Sequence, residues 1–377
     1  MKIFKRLIAV ICALILIATL TACHKKDEVA ITIDGIDITS ALYLNSLLES
    51  DMEARSKVDE QLASEDSSSA PAEVDYLDQK IDGKSFEAYV KDSALKRCRE
   101  YAFYQKLVDA KTISLTDEEK AEADSYAEMY WSYYGYSTVF EANGVGLETY
   151  KKAFVYSYYA NENFMRIYGK DGEKAVDAET IKKTLGEKYI LVHALTKTYN
   201  EDAKDEDKAA AKDSYQKYVT RLEKGEDFKT IYEELNPSEE NETQINLSEV
   251  EDDTSSSDSQ TEGPEGDKAI DELATIIGDE DTGSYASDDF KDVSAMKVGE
   301  VKLIENSDKT GFTVYQKLDI NADPYYLKTL NDAILVVLKQ EEYDKMVEEE
   351  AGKLTVTEHK FALNRLKVKN IEYPTAQ

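Results

Sequence analysis

The sequence is poor in the residues from which covalent and metal-bound scaffolds are made. Its 377 residues hold three cysteines and three histidines. Cys12 lies in the apolar N-terminal segment and Cys23 directly follows it, leaving Cys98 alone in the body of the chain. No intramolecular disulfide is therefore expected, and the fold must rest on packing. His24, His193 and His359 are scattered, and no Cys/His spacing that would build a zinc site is present. No glycine-rich loop that could cradle a phosphate occurs either. Neither metal, nucleotide nor any other cofactor is expected. Positive charge is scarce as well: 46 Lys and Arg stand against 77 Asp and Glu, a formal net charge of -31. That balance excludes nucleic acid as a partner, because phosphate binding needs clustered Lys and Arg. Repeated βα units suited to the two-lobed cleft of a solute-binding protein are also missing.

What is there begins with an address. Lys2, Lys5 and Arg6 form a basic segment, and Leu7 to Leu20 is apolar and uncharged. The run has the length of a signal-peptide core and is short for a bilayer span. Leu20-Thr21-Ala22-Cys23 then resembles the lipobox of bacterial lipoproteins. The resemblance implies a signal peptide of residues 1–22, cleavage before Cys23, and a diacylated Cys23 as mature N-terminus. The alternative is a single uncut transmembrane anchor. Two or more acyl chains, at about 0.8 kcal/mol per buried methylene, hold a protein on a membrane without any spanning helix. The expected location is the extracytoplasmic face of the bacterial cell membrane, where no ATP is available.

After a tether of residues 23–28, Ile31 and Ile33 alternate toward Asp34-Gly35, and Ile36 and Ile38 alternate away from it. This is a hairpin pattern. Thr39 or Ser40 then caps a helix through Leu42, Leu44, Leu47 and Leu48, and Arg55 to Ala72 reads as a polar loop. From Ser85 to Leu185 the pattern is helical. A long helix runs from about Ser85 to Ala110, with Phe86, Val90, Ala94 and Cys98 on its apolar face. Thr116 and Glu119 form a capping box. A helix spans about Leu147 to Tyr168, and Asp177 caps a short one, Thr180 to Leu185. Ten tyrosines lie between Tyr126 and Tyr168, together with Trp131, Phe140, Phe154 and Phe164. Such density is either core or an exposed surface for extended polypeptide.

Lys188 to Thr196 is β-rich. A charged helix from about Asp205 to Leu222 ends at Gly225, and Phe228, Ile231 and Tyr232 open another. Pro237 to Asp267 is acidic without one Lys or Arg, the composition of a disordered loop. A short helix is expected near Lys268 to Ile277 and a strand over Gly311 to Leu318. Asp323-Pro324 opens a helix that runs to Gly352, an N-cap followed by proline at the first helical position. Its apolar stripe needs a partner, which the helices of residues 40–185 provide. The β-containing middle then becomes an insertion in a helical domain made from both ends of the chain.

With these words in this order, the chain resembles the extracytoplasmic foldases of the PrsA and SurA type. Val29 to Leu48, Ile113 to Lys120 and Asn143 to Tyr150 resemble parts of their chaperone domain. The middle resembles a parvulin peptidyl-prolyl isomerase domain. His193-Ala-Leu-Thr196 stands for the family's first-strand His-Ile-Leu-Val, and Lys224-Gly-Glu-Asp-Phe228 matches its Lys-Gly-Glu-Asp-Phe. Lys297-Val-Gly-Glu-Val301 precedes the last strand, and Gly311-Phe-Thr-Val314 stands for its closing Gly-Tyr-His-Ile. The implied fold is α+β. A helical, SurA-N-like chaperone domain (29–185) is completed by a C-terminal helix and tail (321–377). A small parvulin-like domain (186–320, with acidic insertion 237–267) is inserted between them.

The resemblance implies His193 as a catalytic histidine, Thr313 in place of the second one, and Phe290 and Tyr285 as the proline pocket. With the second histidine replaced, His193 is either a remnant of the catalytic network or a buried strand residue. Prolyl isomerisation must lower a barrier of about 18–20 kcal/mol, by favouring a twisted amide in an apolar slot. The implied partners are unfolded or newly secreted polypeptides, with the membrane engaged through the lipid. The implied function is a membrane-anchored folding factor. The alternative is a non-catalytic adaptor lipoprotein that scaffolds a single envelope partner.

Overall fold

The structure, a computed structural model, describes residues 27–65, 74–133, 136–200, 203–236 and 271–374. The signal segment, Cys23 and the acidic stretch 237–267 lie outside the described residues. The fold is α+β and divides into two compact units, one made of Met1–Ala175 with Lys339–Gln377, the other of Val176–Leu338. No helix among the described residues is long and apolar enough to cross a membrane.

The first unit opens with β1 (Val29–Ile33) and β2 (Ile36–Thr39). Asp34 and Gly35 both adopt positive φ, 48° and 89°. That is the type I′ geometry that suits the twist of a two-residue hairpin. Helix α1 (Ser40–Glu65) follows, then the short pair β3 (Lys80–Ile81) and β4 (Lys84–Ser85). Next come α2 (Phe86–Asp109), α3 (Asp117–Tyr133), α4 (Tyr136–Ala142) and α5 (Leu147–Tyr168). The α3 capping box is formed: the Glu119 amide donates to Thr116 Oγ1 at 3.2 Å and the Thr116 amide to Glu119 Oε2 at 2.7 Å. One core gathers Ile31, Ile33 and Ile38 with Leu47, Phe86, Val90, Ala94 and Cys98. A second joins Leu48 to Trp131, Phe140, Val145 and Tyr150. The aromatic stretch is thus divided, since Tyr126 and Tyr133 stay exposed while Trp131, Phe140 and Tyr150 are buried.

In the second unit, α6 (Ala178–Lys188) is capped by Asp177, whose Oδ1 accepts from the Thr180 amide at 2.9 Å. Strand β5 (Tyr189–Thr198) leads to α7 (Asp205–Glu223) and α8 (Phe228–Leu235). Then follow β6 (Ala274–Gly278), α9 (Phe290–Ser294), β7 (Val301–Glu305) and β8 (Gly311–Leu318). The sheet is antiparallel in the order β6-β5-β8-β7. One face carries Leu195 and Val314 against Val219, Leu222, Phe228 and Ile231. The other carries Ile190, Val192 and Tyr315 against Val293 and Met296. Helix α10 (Pro324–Thr329) and then α11 (Asn331–Gly352) follow, the latter ending in the first unit. There β9 (Val356–Glu358) pairs with the free edge of β1, and α12 (Lys360–Leu363) packs beneath it.

Three expectations are corrected. Residues 55–65 are helix rather than loop, because Ala54, Val58 and Leu62 keep helical spacing and join the core. Residues 274–278 are strand rather than helix: the β-branched run Thr275-Ile276-Ile277 pairs with β5, Ile277 opposite Ile190. The helix from Pro324 is interrupted at Leu330 (φ -91°, ψ 0°). The two units divide at 175/176 and 338/339. The cause is a third cluster, in which Leu185, Tyr189 and Leu191 pack with Ile320, Tyr326, Leu330 and Ile334. This packing ties α6 and the first turns of α11 to the sheet.

Candidate functional site

Two places are candidates for a functional site, one in each unit. In the sheet unit, β5 and β8 pair in a regular register, with His193 opposite Gln316 and Thr196 opposite Thr313. Side chains alternate along a strand. Positions 193 and 196 differ by an odd number, so His193 and Thr313 project from opposite faces. The contacts agree. The His193 ring stacks on Phe228 at 4.1 Å between centroids. Its Nδ1 lies 3.0 Å from Gln316 Oε1 and its Nε2 2.7 Å from Asp271 Oδ2. Both ring nitrogens are engaged and the residue is 9% exposed. Thr313 lies beyond the sheet, with its Oγ1 3.1 Å from Thr196 Oγ1.

The two residues expected to form the proline pocket are also separated. Phe290 packs with Ile190, Val192 and Tyr315 on the Thr313 face. Tyr285 meets Tyr189 edge-on at 5.7 Å and belongs with Leu185 and Leu191. Near Thr313 lies a polar hollow of about 300 Å³ lined by Ser287, Asp288, Asp289, Asn306, Ser307 and Asp308. Among the described residues no apolar slot flanked by paired histidines is assembled. Among the described residues no group of three or more His, Cys, Asp or Glu side chains could hold a metal ion.

The second place is a groove in the helical unit. A cleft of about 510 Å³ lies among α1, α2, α5 and the part of α11 that belongs to this unit. Leu42, Tyr101, Phe154, Tyr156 and Val347 give it an apolar and aromatic lining, and Glu49, Lys96, Arg97, Glu100 and Asp344 add charge. A second hollow of about 390 Å³ adjoins it and shares Lys96 and Glu100. Both are lined by α2. Each helix contributes at helical spacing: Lys96, Arg97, Glu100 and Tyr104 from α2, and Gln340, Tyr343, Asp344 and Val347 from α11.

Buried hydrogen bonds brace the groove. The Tyr343 hydroxyl donates to the Ala160 carbonyl at 2.8 Å, receives Asn163 Nδ2 at 3.2 Å, and lies 3.1 Å from the Tyr104 hydroxyl. Tyr101 and Tyr156 pack ring to ring at 4.0 Å. Burial raises the pKa of Glu49, which Arg97 and the Asn45 amide at 2.9 Å partly offset. Burial also raises Glu100, against the pull of Lys96 and Arg97. The cations are already committed, Arg97 to Glu53 at 2.9 Å and Lys96 to Glu348 at 3.3 Å. The groove went unread in the sequence. Its signal was present as charged residues interleaved with tyrosines on one face of α2, but such a stripe is indistinguishable from a solvated face until α11 covers it.

The fold and these two places define a class: an α+β protein with a grooved helical unit and a four-stranded antiparallel sheet unit. Among solved structures, it is similar to the foldase protein PrsA of Streptococcus pneumoniae str. Canada MDR_19A. The identity is 13%, with 79% of this chain and 95% of that one covered and a TM-score of 0.37. It is similar also to PrsA of Lactococcus lactis, at 11% identity, 90% and 97% coverage and a TM-score of 0.35. For PrsA of Bacillus subtilis the values are 16%, 79% and 93%, and 0.30. No family model matches the chain, and no curated protein does.

Proposed function

We propose that this protein is a membrane-anchored, extracytoplasmic folding factor that holds unfolded segments of secreted polypeptides in the groove of its helical unit. The observation that carries the reading is the groove itself, two hollows of about 510 and 390 Å³ that share Lys96 and Glu100. Tyr101 and Tyr156, the part-exposed tyrosines of its lining, offer amphipathic contact area to chains of varied sequence. Binding that withdraws unfolded chains from solution slows aggregation by mass action, with no nucleotide. Anchoring rests on the lipobox-like Leu20-Thr21-Ala22-Cys23. The sheet unit acts in this reading as a parvulin-like module without isomerase chemistry, because His193 is held on both nitrogens and Thr313 faces away from it.

The test is an aggregation assay on a denatured client without nucleotide. Ser157 is an exposed groove residue on α5. Replacing it with tryptophan plugs the groove without touching the core. Ser157→Trp should lose the protection while melting at the wild-type temperature; full protection by this variant would sink the reading. In a proline-limited refolding assay the wild-type protein and His193→Ala should give the same rate as no protein at all. Capture of one stoichiometric partner from secreting cells, in place of many unrelated chains, would favour the adaptor alternative.

A further inference from the structure

Resting on that reading, we infer that the groove selects segments in which a lysine or arginine is flanked by apolar residues, and that Glu100 receives the cation where the two hollows meet. The inference comes from the charges that line the groove. In the larger hollow three carboxylates, Glu49, Glu100 and Asp344, line the wall with two cations, Lys96 and Arg97, and the smaller adds Asp92 and Glu348 with Lys84 and Arg99. Both cations of the larger hollow are drawn to carboxylates outside its lining, Lys96 to Glu348 and Arg97 to Glu53. Glu49 keeps the Asn45 amide and a longer approach from Arg97 at 3.6 Å. Asp344 accepts from Gln340 Nε2 at 2.7 Å. Glu100 is left half-buried, with no hydrogen bond or ion pair of its own among the described residues. An unpaired carboxylate in a partly desolvated groove is costly to keep charged, and an incoming ammonium or guanidinium removes that cost. Tyr101 and Phe154 in one hollow, and Tyr89 and Leu95 in the other, provide for apolar neighbours of the basic residue.

The same groups set a pH dependence. Of the charged groups around Glu100, Lys96 and Arg97 on its own helix lower its pKa, and Glu348 and Asp344 on α11 raise it. The two hollows also hold Glu49 from α1, Lys84 from β4, Tyr89, Asp92, Arg99, Tyr101 and Tyr104 from α2, Tyr156 from α5 and Tyr343 from α11. Burial is the largest influence and raises its pKa. Its charge is therefore lost at a higher pH than that of an ordinary carboxylate. Preference for a basic peptide is complete well above that point and fades as the pH falls through it.

The experiment uses the full chain and three labelled peptides, identical and apolar except for a central lysine, norleucine or glutamate. The lysine peptide should bind about tenfold more tightly at neutral pH, the scale of one charge-assisted hydrogen bond. Glu100→Gln should remove the difference and still bind the norleucine peptide. Glu100→Lys should turn the preference toward a peptide with central glutamate, and thermal melts confirm that both variants fold. Equal binding of lysine and norleucine peptides by the wild type overturns this inference and leaves the polypeptide groove standing. So does a preference that survives Glu100→Gln. If no peptide binds, the groove reading fails and takes the inference with it.

Discussion

The Cys98 thiol is 2% exposed on the buried face of α2 and donates to Ser46 Oγ across 3.6 Å. Burial, the dominant influence, pushes its pKa up to about 12. Only the thiolate is a competent nucleophile, so at pH 8 roughly one thiol in ten thousand would be reactive even if reagent reached it. Iodoacetamide should therefore leave the peptide containing Cys98 unmodified in the native protein and label it fully in guanidinium, as read by mass spectrometry. Native labelling at the unfolded rate would mean that α2 opens locally. The inert role of this residue was legible in the sequence, because Phe86, Val90, Ala94 and Cys98 recur at helical spacing and nothing distant was needed to read them. His193 shows the opposite case. Its strand was legible from Tyr189 to Thr196, but its side of the sheet depends on a pairing with β8 more than a hundred residues away. A one-residue slip in that pairing would reverse every side chain.

At the scale of elements, the features read correctly are those whose signals are local. The Asp34-Gly35 turn, the Thr116 and Asp177 caps, and proline at the start of α10 each need only a few neighbouring residues. Apart from residues 55–65, whose helical spacing is local, the misreadings involve distant partners. Strand β6 forms at a sheet edge where β5 supplies the hydrogen bonds, and β9 is three residues long and exists only against β1. The long helix breaks at Leu330, where its apolar side chains pass from α10 into α11 around the cluster of Tyr326 and Ile334. Helix α11 owes its place in the helical unit to Tyr343, whose hydroxyl reaches Tyr104, Asn163 and the Ala160 carbonyl. Tyr343→Phe keeps the ring and leaves those polar groups short of a partner, a loss of about 1–3 kcal/mol. A lower denaturant midpoint with an unchanged slope is expected. An unaltered midpoint would mean that water replaces the hydroxyl and that the ring alone positions the helix.

At the scale of the whole molecule, the question is where one unit stops. The sheet unit closes three apolar clusters from its own residues, two on the faces of the sheet and one around Leu185, Tyr189 and Leu191. The last of these is finished only by Ile320, Tyr326, Leu330 and Ile334. Residues 176–338 expressed alone should unfold cooperatively in a circular-dichroism melt. A fragment ending at residue 320 exposes what Tyr326, Leu330 and Ile334 had covered. At about 1.5–3 kcal/mol for each buried side chain lost, the deficit is roughly 5–9 kcal/mol. That is comparable with the total stability of a domain, about 5–15 kcal/mol. The shorter fragment should therefore show no cooperative transition at 25 °C and above. If it melts as sharply as the longer one, the third cluster is dispensable and the boundary expected from sequence, at residue 320, is the physical one. If it does not, the first turns of α11 belong to the sheet unit. The same helix then serves two cores, and its continuity past Leu338 joins the unit that carries the groove to the one that does not.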